Sequence, residues 1–107
     1  MTAGPTHVRF EFLPGVPMDE ATGTLRLAVL GVDAVYGRCR VELDCRYRVD
    51  AAARSITVDR STAVGRTLAL ILWGFLKREF GDGVRLRWTG SPPPPLPPAA
   101  SAEGVTP

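Results

Sequence analysis

The sequence predicts an α+β domain: a five-stranded, mostly antiparallel sheet in β-β-β-β-α-β order, with one helix packed on one face. Two observations carry this. Apolar and polar residues alternate in short runs through the first half of the chain, the period of half-buried strands. From Thr62 to Glu79 the period becomes helical, between a hydroxyl cap and Gly81. A third observation sets the limits. From Gly90 on, proline and small polar residues take over, so 1–89 reads as one α+β domain and 90–107 as a flexible proline-rich tail.

The first strand is His7 to Leu13, with Val8, Phe10 and Phe12 on one face and Arg9 and Glu11 on the other. Pro14-Gly15-Val16-Pro17 ends it, and a polar loop or single helical turn follows. Thr24 to Leu30 reads as a second strand, with Leu25, Leu27 and Val29 inward and Arg26 outward. Gly31 to Ala34 is a turn. Val35 to Val49 gives the clearest alternation. Cys39, Val41, Leu43, Cys45, Tyr47 and Val49 interleave with Arg38, Arg40, Glu42, Asp44, Arg46 and Arg48. A third strand, long enough to need a bend, fits this run.

Ser55 to Asp59 is a fourth strand, with Ile56 and Val58 inward. Ser61 or Thr62 caps the helix, and Lys77 and Arg78 in its last turn favour the helix dipole. Val84 to Trp88 is the fifth strand, with Val84, Leu86 and Trp88 inward and Arg85 and Arg87 outward.

Composition narrows the function classes. A hydrophobic content of 45% and a charged content of 22% are ordinary for a globular domain. The net charge of +2 does not by itself imply nucleic acid. Lys77 is the only lysine; the other basic residues are arginines, the better bidentate partners for carboxylate and phosphate. A domain of this size buries only about 60–65% of its unfolded surface, so a partner surface would add stability. No signal peptide or membrane-spanning run is visible, which points to the cytoplasm. Cys39 and Cys45 lie six residues apart in one extended run, too far for a bridge, and read as two free, buried thiols.

Three features are candidates for function. The outer sheet face is expected to gather Arg9, Arg26, Arg38, Arg40, Arg46, Arg48, Arg85 and Arg87 against Glu11, Glu42 and Asp44. Such a face can bind single-stranded nucleic acid, but its outward positions carry no stacking aromatic other than Tyr36. A solvated face with cross-strand Arg–carboxylate pairs is the simpler account. The second feature is the helix. Val64, Leu68, Ile71, Leu72, Phe75 and Glu79 form one stripe, yet Leu70, Trp73 and Phe80 lie away from it. One sheet needs only one stripe, so these three are the candidate protein interface. The third feature is the run Ser91 to Pro98, which favours polyproline II and contains Pro94-Pro95-Leu96-Pro97, the form that proline-binding modules dock. A spacer is the simpler reading of it.

Reaction chemistry is thin. His7 is the only histidine and sits at a strand end; no Ser, Cys or Lys has a motif context; one His and two separated Cys do not make a metal site. The expectation is a protein that is not an enzyme and needs no cofactor or metal. It is read as an interaction module or small subunit that binds another protein or itself as a homodimer, without a membrane. The alternative is a nucleic-acid-binding domain that uses the arginine face.

Overall fold

A computed structural model describes residues 6–89 of the chain; the proline-rich tail read from the sequence lies outside the described residues. The first strand forms as its alternation predicts. In β1 (His7–Phe12), Val8, Phe10 and Phe12 are buried among the other core residues, and Arg9 and Glu11 occupy the other face.

The next two expected strands are not strands. Met18–Tyr36 is a helix, α1, and Arg38–Asp44 is a second, shorter helix, α2. Only Tyr47–Asp50, β2, is extended. The buried residues of α1 are Ala21, Leu25, Ala28 and Val32, at helical spacing. Of the three residues whose period-two spacing suggested a strand, Leu25 is buried, Val29 half-buried and Leu27 faces solvent. In α2 only Val41 is buried, while Leu43 is 74% exposed. The alternation across this segment therefore reflected the spacing of its arginines, not two faces of a sheet. Gly37, at φ 90°, takes a backbone conformation that L side chains rarely adopt and separates the two helices. The thiols move with this correction: Cys39 is exposed and Cys45 only half-buried, both free. Burial pushes the Cys45 thiol up to about 11.

The second half follows the expectation closely. β3 is Ser55–Asp59, α3 is Ala63–Phe80, and a single 3₁₀ turn at Gly81–Gly83 leads into β4, Val84–Thr89. The Thr62 hydroxyl accepts from the Gly65 amide at 3.0 Å and donates to the Asp44 carbonyl at 2.8 Å, so the cap of α3 also ties down the end of α2. Gly65 has no alternative. A Cβ there would lie 2.0 Å from the Asp59 carbonyl oxygen, where α3 starts directly over the end of β3.

Among the described residues there are thus four strands rather than five and three α-helices rather than one. The sheet order is β2-β3-β1-β4, with every neighbouring pair antiparallel. This is the split β-α-β arrangement. β3 and β4 are not neighbours; β1 lies between them. One hydrophobic cluster joins Val8, Phe10, Ile56 and Val58 of the sheet to Val32 of α1 and to Val64, Leu68, Leu72 and Leu76 of α3. Each such side chain contributes about 1.5–3 kcal/mol by leaving water. β2 and β4 are the two edges. The turn between β2 and β3 is held by Arg54, at φ 54°, whose guanidinium donates to the carbonyls of Phe12, Leu13 and Val16.

Candidate docking groove

The strand registers fix what the outer sheet face presents. Arg48 lies opposite Thr57, Thr57 opposite Arg9, and Arg9 opposite Arg87, so three arginines share one row across the sheet. Arg85 sits opposite Glu11. Carboxylates interrupt the row on both sides. Glu11 lies 3.2 Å from Arg9 and 3.8 Å from Arg87, and Asp50 lies 3.9 Å from Arg48. The other arginines expected on this face are elsewhere. Arg26 is on α1, Arg38 and Arg40 are on α2, and Arg46 precedes β2. Arg38 and Arg40 lie 3.9 Å and 3.4 Å from Asp33 and Asp44 respectively. Four of the eight therefore share the sheet face, among carboxylates and without an aromatic side chain beside them.

His7 is buried at the end of that face. Its Nδ1 is 2.8 Å from the Thr6 hydroxyl, and its Nε2 is 3.9 Å from Asp59. Burial raises the Asp59 carboxyl, but the Ser61 hydroxyl and amide, with His7 and Arg46, outweigh it and hold the group below its ordinary value. The cluster is a strand-end brace built on the Asp59 turn.

The opposite face is covered unevenly. α3 presents two flanks. One lies toward α1, where the Tyr36 and Thr67 hydroxyls are 2.8 Å apart. The other carries Arg66, Leu70, Trp73 and Lys77, at helical spacing, toward β4. Because β4 is an edge strand, its inward residues Leu86 and Trp88 are covered, among the described residues, by this flank and by the Arg60 side chain. The cover is incomplete: Leu70 is 73% exposed and Trp88 49%. A groove of about 180 Å³ lies there, lined by Val8, Phe10, Ala69, Leu70, Trp73, Leu86 and Trp88, with Arg60 and Arg66 at its rim.

The aromatic walls are held in place. The Trp73 ring stacks on Phe10 with centroids 5.8 Å apart, and Lys77 Nζ is 5.4 Å from the Trp73 ring centre. The Arg60 guanidinium lies 4.7 Å over Trp88. Every polar side-chain group lining the groove, in Arg60, Arg66 and the two indoles, is a hydrogen-bond donor. Its volume is below the roughly 300 Å³ at which enclosed small-molecule sites begin.

Two of the three residues expected to form a protein interface, Leu70 and Trp73, meet in this groove. The third does not: Phe80 turns to the end of β1, edge-on to Phe12 at 6.3 Å. Leu86, Trp88, Arg60 and Arg66 were not among the expected interface residues. Trp88 reads as inward, and inward it is; what the sequence pattern does not show is that, among the described residues, β4 has no further strand or helix outside it. Leu27, Leu30 and Val35 on α1 and Leu43 on α2 are also exposed, with no aromatic ring among them. Among the described residues, no group of three or more His, Cys, Asp and Glu is arranged to hold a metal ion, and no helix is long and apolar enough to cross a membrane.

No family model, curated protein or solved structure matches the chain.

Proposed function

We propose that this chain is a non-catalytic interaction module that takes a peptide segment of another protein in the groove between α3 and β4. The observation that carries this is the meeting of exposed Leu70 and Trp88 with half-buried Trp73 and Leu86 in one groove between a helix and an edge strand. Single exposed apolar residues need no explanation, whereas a concave patch with two indoles, rimmed by cations, has the composition of an interface anchor. The lining lacks a carboxylate, thiol or imidazole, so it offers recognition rather than acid–base chemistry. Cationic rims on both walls favour a ligand that brings carbonyl or carboxylate oxygens.

The alternative reading, nucleic-acid binding on the arginine row, has less support. Glu11 and Asp50 sit beside Arg9, Arg87 and Arg48, and that face offers no ring for base stacking.

The test is a titration of the full chain with labelled peptides of three kinds: proline-rich, acidic-apolar and amphipathic helical. Tryptophan fluorescence should report saturable binding of at least one kind, abolished by Trp88→Ala and by Leu70→Asp with the circular dichroism spectrum retained. Binding that survives both substitutions, or none with any peptide, would sink the proposal.

A further inference from the structure

We propose that the partner segment binds as an added strand. An extended peptide that alternates apolar and acidic residues pairs with the outer edge of β4, its apolar side chains toward α3 and its carboxylates beside Arg85 and Arg87. This rests on the reading of the groove as a peptide site.

The ladder fixes which backbone groups of β4 face outward. The Leu13 amide donates to the Gly83 carbonyl at 2.9 Å, one step in register beyond Phe12 opposite Val84. Hydrogen-bonded pairs alternate along an antiparallel ladder, so β1 and β4 exchange bonds at Glu11 with Arg85, Arg9 with Arg87 and His7 with Thr89. The other side of β1 agrees. The Phe12 amide donates to the Arg54 carbonyl and the Arg60 amide to the Thr6 carbonyl, which leaves Arg9 and Glu11 to bond with β4. The amides and carbonyls of Val84, Leu86 and Trp88 therefore point to the outer edge, where no described strand pairs with them. The register runs the length of β4 without a bulge, and the strand contains no proline; both devices would have kept this edge from pairing.

Side chains of an added strand alternate between the two faces of the sheet. On one face, Leu86 and the half-exposed Trp88 line the groove with Leu70 of α3. On the other stand Arg85 and Arg87, both exposed, with 68% of the Arg87 side chain in water. Glu11 lies opposite Arg85 in register, but it is 3.2 Å from Arg9 and 3.8 Å from Arg87, so one carboxylate is shared among arginines. Opposite charges directly across a ladder attract and like charges repel. An incoming strand thus matches β4 when the residues opposite Leu86 and Trp88 are apolar and those opposite Arg85 and Arg87 are Asp or Glu. Main-chain bonds then give affinity, and the alternate side chains give specificity.

The same charges disfavour a second copy as the occupant. Antiparallel pairing of β4 with itself, centred on Arg85, Leu86 or Arg87, sets an arginine opposite an arginine.

Both tryptophans line the groove, so their fluorescence reports on it. The full chain is titrated with a peptide as long as β4 that alternates glutamate and valine, and binding should be saturable. N-methylation of one alternate set of peptide amides should abolish binding, and N-methylation of the other set should leave it. The sensitive set is the valine amides for an antiparallel strand and the glutamate amides for a parallel one. Arg85→Glu with Arg87→Glu should weaken binding about 10-fold, and a peptide alternating lysine and valine should bind that variant more tightly than it binds the native chain. Equal sensitivity to the two methylated sets would overturn strand addition. So would equal affinity of native and charge-reversed chains for both peptides. A doubled mass without peptide that the peptide does not reverse would overturn it too, since a second copy would then hold the edge. If a proline-rich or helical peptide binds and the alternating peptide does not, the groove is a peptide site and only strand addition fails. If no peptide binds, both readings fail.

Discussion

The two flanks of α3 differ more than their sequences do. Toward α1 the helix is closed: Ile71 lies 3.9 Å from where a Cβ on Gly31 would stand, and Thr67 meets Tyr36 across the helix pair. Toward β4 it is open, with Leu70 and Trp73 beside the half-exposed Trp88. Both flanks carry large apolar side chains. What separates them is the neighbour, a long helix on one side and, on the other, a strand at the edge of the described sheet. On the proposed reading, stability and recognition fall on two sides of one helix, and substitutions should sort accordingly.

The largest effect belongs to the buried stripe between the flanks. Leu72→Ala removes a fully buried side chain and should cost about 3 kcal/mol in urea unfolding. Gly65→Ala should follow at about 2 kcal/mol, because the added methyl meets the Asp59 carbonyl and backbone must move; a midpoint unchanged in thermal melts would show that the start of α3 can slide. On the closed flank, Tyr36→Phe breaks the contact to Thr67 and should cost about 1 kcal/mol, read most cleanly as a double-mutant cycle with Thr67→Val. On the open flank, Leu70→Ser should change stability by no more than about 0.5 kcal/mol. A cost for Leu70→Ser equal to that of Leu72→Ala would erase the distinction. An intermediate cost would sharpen it, by showing that something covers Leu70 in solution.

How much of this was legible depended on where each element carried its signals. α3 had a hydroxyl cap at Thr62, a glycine at 81 and cations in its last turn, and its ends fell within a residue of expectation. β1, β3 and β4 were bounded by turns and alternated cleanly. α1 had no side-chain cap; it starts behind Pro17, and its only local sign was Asp19 and Glu20 in the first turn. Against that stood Leu25, Leu27 and Val29, which read as a strand. Nothing local reveals that Leu27 faces water, because its exposure follows from the packing of the whole helix layer. The groove was half legible for the same reason. Leu70 and Trp73 stood out as apolar residues off the buried stripe. Trp88 did not, since whether an inward residue is covered depends on strand order, which is set by pairings between distant parts of the chain. The arginine face failed as a set because three of its members were assigned to strands that are helices.

The order β2-β3-β1-β4 has a consequence for how the protein is made. β1 is a central strand and is made before the other described strands, yet one of its two neighbours, β4, is the last of the described elements. Until Thr89 has emerged, β1 has one bare hydrogen-bonding edge, and Phe10 and Phe12 lack the strand that flanks them. Synthesis at about 5–20 residues per second keeps that edge open for several seconds, far longer than a hairpin takes to close. That edge stays bare until β4 is made, and a strand only six residues long ends the exposure.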